Sequence, residues 1–237
     1  MRHPIKSNSL SVIKQNISYY DEIAVQYDET LDNDHSNEII REKVASVFNE
    51  LVSSGLVLDF GGGTGKDLAW LIKKGYRVIF CEPSAKMREK AILLTHNNSH
   101  IVFLESTATD FATWEANLPF SQNVDAILAN FAVINCIPDI ELLFKNLSLV
   151  IRAGGHLLML VIKSDFKKRW RSNRRATLLS LFTAATVTTD IKFNLQRQRV
   201  YLHSIPKIKR AAGLSFHFQR SLLVKENDFV LLHFTRK

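Results

Sequence analysis

The stretch Asp59-Phe60-Gly61-Gly62-Gly63-Thr64-Gly65 is where residue type and spacing first name a chemistry. Glycines at a strand-to-helix turn let the backbone approach a ligand closely and adopt conformations barred to other residues. Glu82 follows Gly61 by about 20 residues, at the end of the next apolar run, where an acid in a doubly wound fold accepts hydrogen bonds from ribose hydroxyls. A dinucleotide fingerprint requires Gly-x-Gly-x-x-Gly or Ala. Counted from Gly61 and Gly63, its third position falls on Lys66, so a dehydrogenase pattern fails. The glycines run Gly-x-Gly-x-Gly instead, two residues after Asp59. A carboxylate there repels a pyrophosphate and suits a ligand carrying a positively charged amine.

These residues need a scaffold, and the chain supplies an alternating one. Residues 56–60 read as a buried strand, 67–73 as a helix stopped by Gly75, 76–81 as a second strand, and 84–94 as a helix with Ser84 as N-cap. Strands follow at 101–104 and 124–129. A helix at 140–151 then leads through Gly154-Gly155 into a fifth strand at 156–162. Strand–helix alternation of this kind predicts an α/β fold, a doubly wound and mostly parallel sheet. The first 50 residues read as helical, with apolar residues at helix spacing over 39–51. Beyond residue 162 the rhythm changes to a basic, partly helical segment reaching about residue 185. After it come a short strand at 200–202 and a helix at 204–212. Strands at 214–224 and 229–234, joined by the polar turn 225–228, form a hairpin that completes a seven-stranded Rossmann-like sheet antiparallel. The expected organisation is one structural domain with four parts. They are a helical lid (1–50), a ligand-binding core (51–162), a basic cap after strand five (163–203), and a closing helix and hairpin (204–237).

Four segments in order resemble the class I S-adenosylmethionine-dependent methyltransferases, in particular the small-molecule group. Residues 57–67 look like the family's first motif, and Glu82-Pro83-Ser84-Ala85-Lys86-Met87 resembles its acidic ribose-binding turn. Ile137-Pro138-Asp139 with Arg152-Ala153-Gly154-Gly155 is similar to its later region. Tyr19-Tyr20-Asp21 through Tyr27-Asp28 looks like the N-terminal segment that closes over the cofactor. The resemblance implies S-adenosylmethionine as cofactor and S-adenosylhomocysteine as product. Asp59 and the backbone of Gly61, Gly62, Gly63 and Gly65 would hold the methionine part, and Glu82 the ribose. Pro83 and Met87 would pack near the adenine. Thr107 and Ala108 align with an Asp-Ala adenine-contact pair, with Thr in place of Asp. Asn130 and Phe131 would line the transfer site, and Tyr20 and Tyr27 would lie near the amino-acid end. The implied reaction is in-line methyl transfer to an oxygen, nitrogen or carbon, driven largely by alignment and exclusion of water.

The acceptor is less legible. His203 is the candidate general base, with Tyr201 beside it. Cys136 would serve a C5-pyrimidine mechanism, but its setting reads as packing. Asn130-Phe131-Ala132-Val133 is not the Asn/Asp-Pro-Pro-aromatic motif of amino-methylating DNA or glutamine enzymes. No His/Asp/Glu set has metal spacing, so no metal is expected. The 237 residues are 46% apolar and 23% charged, an ordinary globular composition. The two cysteines, Cys81 and Cys136, exclude a disulfide scaffold and suit the cytoplasm. Neither a signal peptide nor a membrane span is evident. The net charge of +8 is uneven. Residues 1–162 hold 14 Lys+Arg against 19 Asp+Glu, and residues 163–237 hold 17 against 4. Six of the nine residues 167–175 are Lys or Arg. The basic excess points to an anionic small-molecule or carrier-bound acceptor, or to peripheral membrane contact. The alternatives are a nucleic-acid methyltransferase using this patch, whose affinity would fall steeply with salt, and a non-catalytic cofactor-binding protein.

Overall fold

A computed structural model describes residues 7–32, 35–96, 98–162, 186–193, 196–224 and 229–237. The basic run 167–175 and the turn 225–228 lie outside the described residues. Two N-terminal helices, α1 (Ser7–Asp32) and α2 (His35–Leu51), precede the alternating core. The core runs β1 (Leu56–Phe60), α3 (Leu68–Lys73), β2 (Arg77–Cys81), α4 (Ala85–Thr95), β3 (Ile101–Phe103), β4 (Val124–Ala129), α5 (Ile140–Val150) and β5 (Ile151–Ile162). A separate hairpin, β6 (Val187–Phe193) and β7 (Gln196–Leu202), is followed by α6 (Ile205–Ala212), β8 (Phe216–Val224) and β9 (Phe229–Arg236). The main sheet has seven strands in the order β3-β2-β1-β4-β5-β9-β8. The first five are parallel, and β9 pairs antiparallel with β5 and β8.

Strand alternation sorts the core into two layers. Leu56, Leu58 and Phe60 pack with Leu143, Phe144 and Leu147 of α5 and Ile208 of α6. Val57 points the other way, to Ile40, Val44 and Phe48 of α2 and Leu68 and Leu71 of α3. Covered on both faces, β1 is buried at every position. Each fully buried Leu, Val or Phe contributes roughly 1.5–3 kcal/mol. Asp59 shares the face of Val57, so the fold places a carboxylate inside an apolar layer. Strand order reverses between β1 and β4, and a crevice opens beyond their carboxyl ends, where doubly wound sheets bind ligands.

Two expectations about elements need correction. Strand five does not start after the glycines: β5 begins at Ile151, and its pairing jumps from Val124↔Ile151 to Ala126↔His156. Gly154, at φ +72°, and Gly155, whose Cβ would sit 2.6 Å from Ile151, let that bulge close without ending the strand. The short strand at 200–202 is the end of a full hairpin, registered from Val187↔Leu202 to Phe193↔Gln196. Polar residues such as Thr188, Thr189, Asp190, Arg197, Gln198 and Arg199 interrupt both strands, so no apolar alternation announces the hairpin. Among the described residues no helix is long and apolar enough to cross a membrane.

Candidate active site

The glycine loop is tied to the end of β2. Gly61 N and Gly62 N donate to the Cys81 carbonyl at 2.7 and 3.3 Å, and Gly63 N donates to Glu82 Oε2 at 2.9 Å. Glu82 Oε1 accepts from Ser84 N at 2.8 Å, and Ser84 Oγ caps α4 by accepting from Met87 N. One carboxylate therefore joins the loop to the first turn of α4. Burial pushes its pKa up to about 7, opposed by the Ser84 and Gly63 amides and by Arg88. Gly61, Gly63 and Gly65 have φ of +73°, +59° and +84°. A Cβ on Gly61 would strike Val133 at 2.6 Å, whereas one on Gly63 would meet nothing within 4 Å.

Beneath Gly62 lies Asp59, 1% exposed, and neither of its carboxylate oxygens has a hydrogen-bond partner among the described residues. Burial, and then the neighbouring Asp67, push its carboxyl well above the ordinary range, with Arg41 opposing. Asp67 is itself fully engaged. It pairs with Arg41 at 2.6 Å and accepts from Trp70 Nε1 at 2.9 Å and Asn130 Nδ2 at 3.0 Å. The Arg41 guanidinium lies 4.6 Å from the ring centre of Phe131. Phe131 and Ala132 sit at φ +48° and +64°, left-handed conformations that cost a non-glycine residue about 1–2 kcal/mol. The bonds from Phe131 N to Asn130 Oδ1 and from Ala132 N to the Leu160 carbonyl hold them there. Non-glycine strain of this kind collects at functional sites.

Helix α1 roofs the crevice. Tyr20 and Tyr27 are two turns apart, so they share a face, and their rings meet edge-on at 6.1 Å. The aspartate after each tyrosine anchors the roof. Asp21 accepts from Ser84 Oγ at 2.6 Å and Lys86 N at 3.1 Å. Asp28 accepts from Thr64 Oγ1 at 2.5 Å and pairs with Lys90 at 3.3 Å. At the other end, Asn16 Nδ2 donates to the carbonyls of Cys136 and Arg199, while its Oδ1 accepts from Arg199 N at 2.8 Å. Gln198 Nε2 reaches the Tyr20 hydroxyl at 2.6 Å and Cys136 Sγ at 3.2 Å. The enclosed cavity measures about 310 Å³, and its wall includes Tyr20, Tyr27, Arg41, residues 61–64, Glu82, Pro83, Met87, Asp110, Asn130 and Phe131.

Comparison with known proteins decides the family. The family described as "Methyltransferase domain" matches residues 33–193, more than half of the chain. The chain belongs to this methyltransferase family. No curated protein sequence gives a significant match. Among solved structures, DhpI in complex with S-adenosylhomocysteine superimposes with a TM-score of 0.68 at 17% identity, covering 98% of both chains. The 1,6-didemethyltoxoflavin-N1-methyltransferase of Burkholderia thailandensis gives 0.65 at 15% identity, over 100% of this chain and 93% of that one. The N-methyltransferase NodS of Bradyrhizobium japonicum gives 0.60 at 14%, over 93% and 98%. At these identities the likeness is one of fold.

Several residues named from sequence fall elsewhere in this methyltransferase. Thr107 is exposed, and Ala108 spends its carbonyl on Trp114 Nε1 (2.8 Å) and its N–H on Glu105. Ser106, Thr109, Asp110 and Phe111 form the wall there instead. Gly65 closes the loop against Leu68 and Ala91 and does not line the cavity. His203 is not placed to act as a base. It is 2% exposed, and its Nε2 lies 2.9 Å from the Ile137 carbonyl, so that nitrogen carries the proton. Its Nδ1 meets Thr186 Oγ1 at 3.0 Å, and burial lowers its pKa to about 4. It pins the cap hairpin to Ile137. Tyr201 stacks on it, ring centres 6.0 Å apart, and is likewise outside the wall. Arg41, Asp67 and Asp110 went unnamed in the sequence reading. Asp67, just past the glycine loop, carried the only local signal. No cluster of metal-ligand type occurs among the described residues.

Proposed function

We propose that this methyltransferase moves the methyl group of S-adenosylmethionine to a small-molecule or carrier-bound acceptor, with S-adenosylhomocysteine as the other product. The observation that carries this reading is Asp59: a buried carboxylate with no hydrogen-bond partner among the described residues, one layer beneath Gly62, which lines the same cavity as Glu82. A buried charge costs several kcal/mol unless paired, and the cofactor's ammonium group supplies the missing partner. Around that anchor the chain's residues fit the rest of the molecule. Arg41 suits its carboxylate, Glu82 its ribose hydroxyls, and Pro83, Met87 and Phe111 the faces of its adenine. Asp110, in place of Thr107, suits the adenine amine. Tyr20 and Tyr27 cover the amino-acid end, and Asn130 and Phe131 border the transfer site. The small molecule bound by the toxoflavin neighbour supports the acceptor class.

The cofactor supplies a methyl group already activated by a positively charged sulfonium. What remains for the protein is to orient the acceptor and keep water out. The strained Asn130–Ala132 turn fixes one wall, and α1, latched at both ends, excludes solvent. Residues 1–50 act as the lid and contribute Arg41, Tyr20 and Tyr27, 51–162 hold most of the cofactor, and the hairpin after residue 162 braces the lid through Gln198 and Arg199. The two free cysteines suit a reducing compartment, and we place the reaction in the cytoplasm.

Calorimetric titration with S-adenosylhomocysteine tests the reading, with methyl transfer followed by product formation against an acceptor panel. Binding is expected to release protons, seen as a buffer-dependent heat. The ammonium beside Asp59 and the ribose donors beside Glu82 both favour the charged carboxylates. Absence of binding would overturn the proposal. Two glycine variants should separate folding from binding. In Gly62→Ala the new Cβ would lie 2.2 Å from the buried Phe80 ring and 2.7 Å from Asp59 Oδ2. Overpacking of about 2–3 kcal/mol should lower the melting temperature by roughly 5–10 °C. Gly63→Ala meets no protein atom. Its φ of +59° costs the new alanine about 1–2 kcal/mol, so its melting temperature should fall by roughly 2–8 °C, less than in Gly62→Ala, while the methyl group protruding into the cavity weakens S-adenosylhomocysteine binding. A Gly63→Ala variant that binds S-adenosylhomocysteine as tightly as the wild type would contradict this assignment of the loop.

A further inference from the structure

One end of the cavity continues past Tyr20 toward Cys136 and the first half of α1. Ile13 and Ile17 flank Asn16 on α1, and Asn16 is bonded to the Cys136 carbonyl, so this end is bordered by Ile13, Ile17, Val133 and Ile137. Its polar groups already have partners. Asn16 uses its amide nitrogen on two carbonyls and its oxygen on Arg199 N. The Tyr20 hydroxyl and Cys136 Sγ both meet Gln198. Burial keeps the Tyr20 hydroxyl and the Cys136 thiol protonated, so neither offers a ready base.

The cations on the cavity wall differ in the same respect. Arg41 is paired with Asp67 at 2.6 Å, and Lys66 lies 4.0 Å from Asp28. Lys14, adjacent to Ile13 and one turn before Ile17, is exposed at the rim and has no carboxylate partner among the described residues. Over the whole chain Lys and Arg outnumber Asp and Glu by 31 to 23, and a net positive charge favours association with anions.

We infer that the methyl acceptor is an amphipathic acid, with an apolar body along Ile13, Ile17, Val133 and Ile137 and an oxyanion, carboxylate or phosphate, held at the rim by Lys14. This rests on the cofactor reading above. Each methylene buried against those side chains should raise affinity about fourfold. An ion pair at a half-open rim should add a factor of about three to five.

The test titrates the S-adenosylhomocysteine-saturated protein with four probes that share an octyl tail: nonanoate, octyl phosphate, octanol and octylammonium. The two oxyanions are expected to bind about three- to fivefold more tightly than octanol, and octylammonium more weakly than octanol. The tighter oxyanion names the acidic group. Lys14→Ala should reduce the oxyanions to the affinity of octanol, and Lys14→Glu should reverse the order in favour of octylammonium. Equal binding of nonanoate, octyl phosphate and octanol would overturn the inference. So would an oxyanion preference that survives in both Lys14 variants. S-adenosylhomocysteine titration of the same samples separates the two failures. No binding of it sinks the cofactor reading, and normal binding without an oxyanion preference sinks only this one.

Discussion

Glu82→Gln is expected to weaken S-adenosylhomocysteine binding by roughly thirty- to a hundredfold, about 2–3 kcal/mol for lost hydrogen bonds to a charged acceptor. The carboxylate accepts from two backbone amides, Gly63 N on Oε2 and Ser84 N on Oε1. Glutamine keeps one acceptor and turns an NH2 group toward the other amide, so the loop and the α4 turn can no longer be held together with the ribose. A pH signature should accompany the loss. Burial raises the Glu82 pKa from 4.5 to about 7. Between those values the folded protein holds a proton that the unfolded chain has released, so stability without ligand falls as pH rises through this window. The full effect is of order 3 kcal/mol. Ribose hydroxyls are donors and require the carboxylate, so cofactor affinity should rise over the same interval. The melting temperatures of free and S-adenosylhomocysteine-loaded protein should therefore diverge from about pH 4.5 to pH 7 and run parallel above it. In Glu82→Gln this component should vanish. A variant with wild-type affinity and an unchanged profile would remove Glu82 from the site.

What the sequence disclosed follows from what is buried and repetitive. Parallel strands covered on both faces read as apolar runs, so β1, β2 and β4 were visible, and the glycine loop and Glu82 are fixed relative to them. The Tyr-Asp pairs were visible as a motif, yet only half of their role was. Helix spacing puts Tyr20 and Tyr27 on one face, but nothing local says that Asp21 and Asp28 latch the helix to Ser84 and Thr64. Arg41 was hidden for the same reason. It is one polar residue in an amphipathic helix, and its partners Asp67 and Phe131 come from distant segments. Thr107 and Ala108 fall outside the cavity wall, which Ser106, Thr109, Asp110 and Phe111 form instead. Residues 106–113 form two short 3-10 turns, which have no periodicity to fix which side chain faces inward. His203 misled because a lone histidine looks the same in sequence whether it is free or spent on Ile137 and Thr186.

Asp59→Asn should uncouple binding from folding more cleanly than any other substitution. In the free protein Asp59 is buried, has no hydrogen-bond partner among the described residues, and sits near Asp67, whose charge disfavours its own. Its carboxyl is therefore held well above the usual range, and ionising it opposes folding. The sign follows from linkage: the contribution of a carboxyl with a raised folded-state pKa is lost as pH rises. Asparagine carries no such penalty, so the free variant should melt at or above the wild-type temperature at pH 8, with the difference shrinking toward acid pH. Ligand binding should move the opposite way. Without the charge, the pair with the cofactor's ammonium is lost, and affinity should fall by roughly thirty- to a hundredfold. At a ligand concentration of about 100 times the wild-type Kd, binding stabilises the wild type by about 2.7 kcal/mol. A variant with a hundredfold weaker Kd gains only about 0.4 kcal/mol under the same conditions. Thermal melts with and without S-adenosylhomocysteine, at pH 6 and pH 8, read both effects in one experiment. If the free variant instead loses stability while affinity stays intact, Asp59 is a structural support of the glycine turn, and the positive end of the cofactor must be met elsewhere. The expected combination assigns it to the ligand. An unpartnered carboxylate in an apolar layer makes folding harder, and on the proposed reading the cofactor's ammonium is the cation that offsets that cost when the site fills.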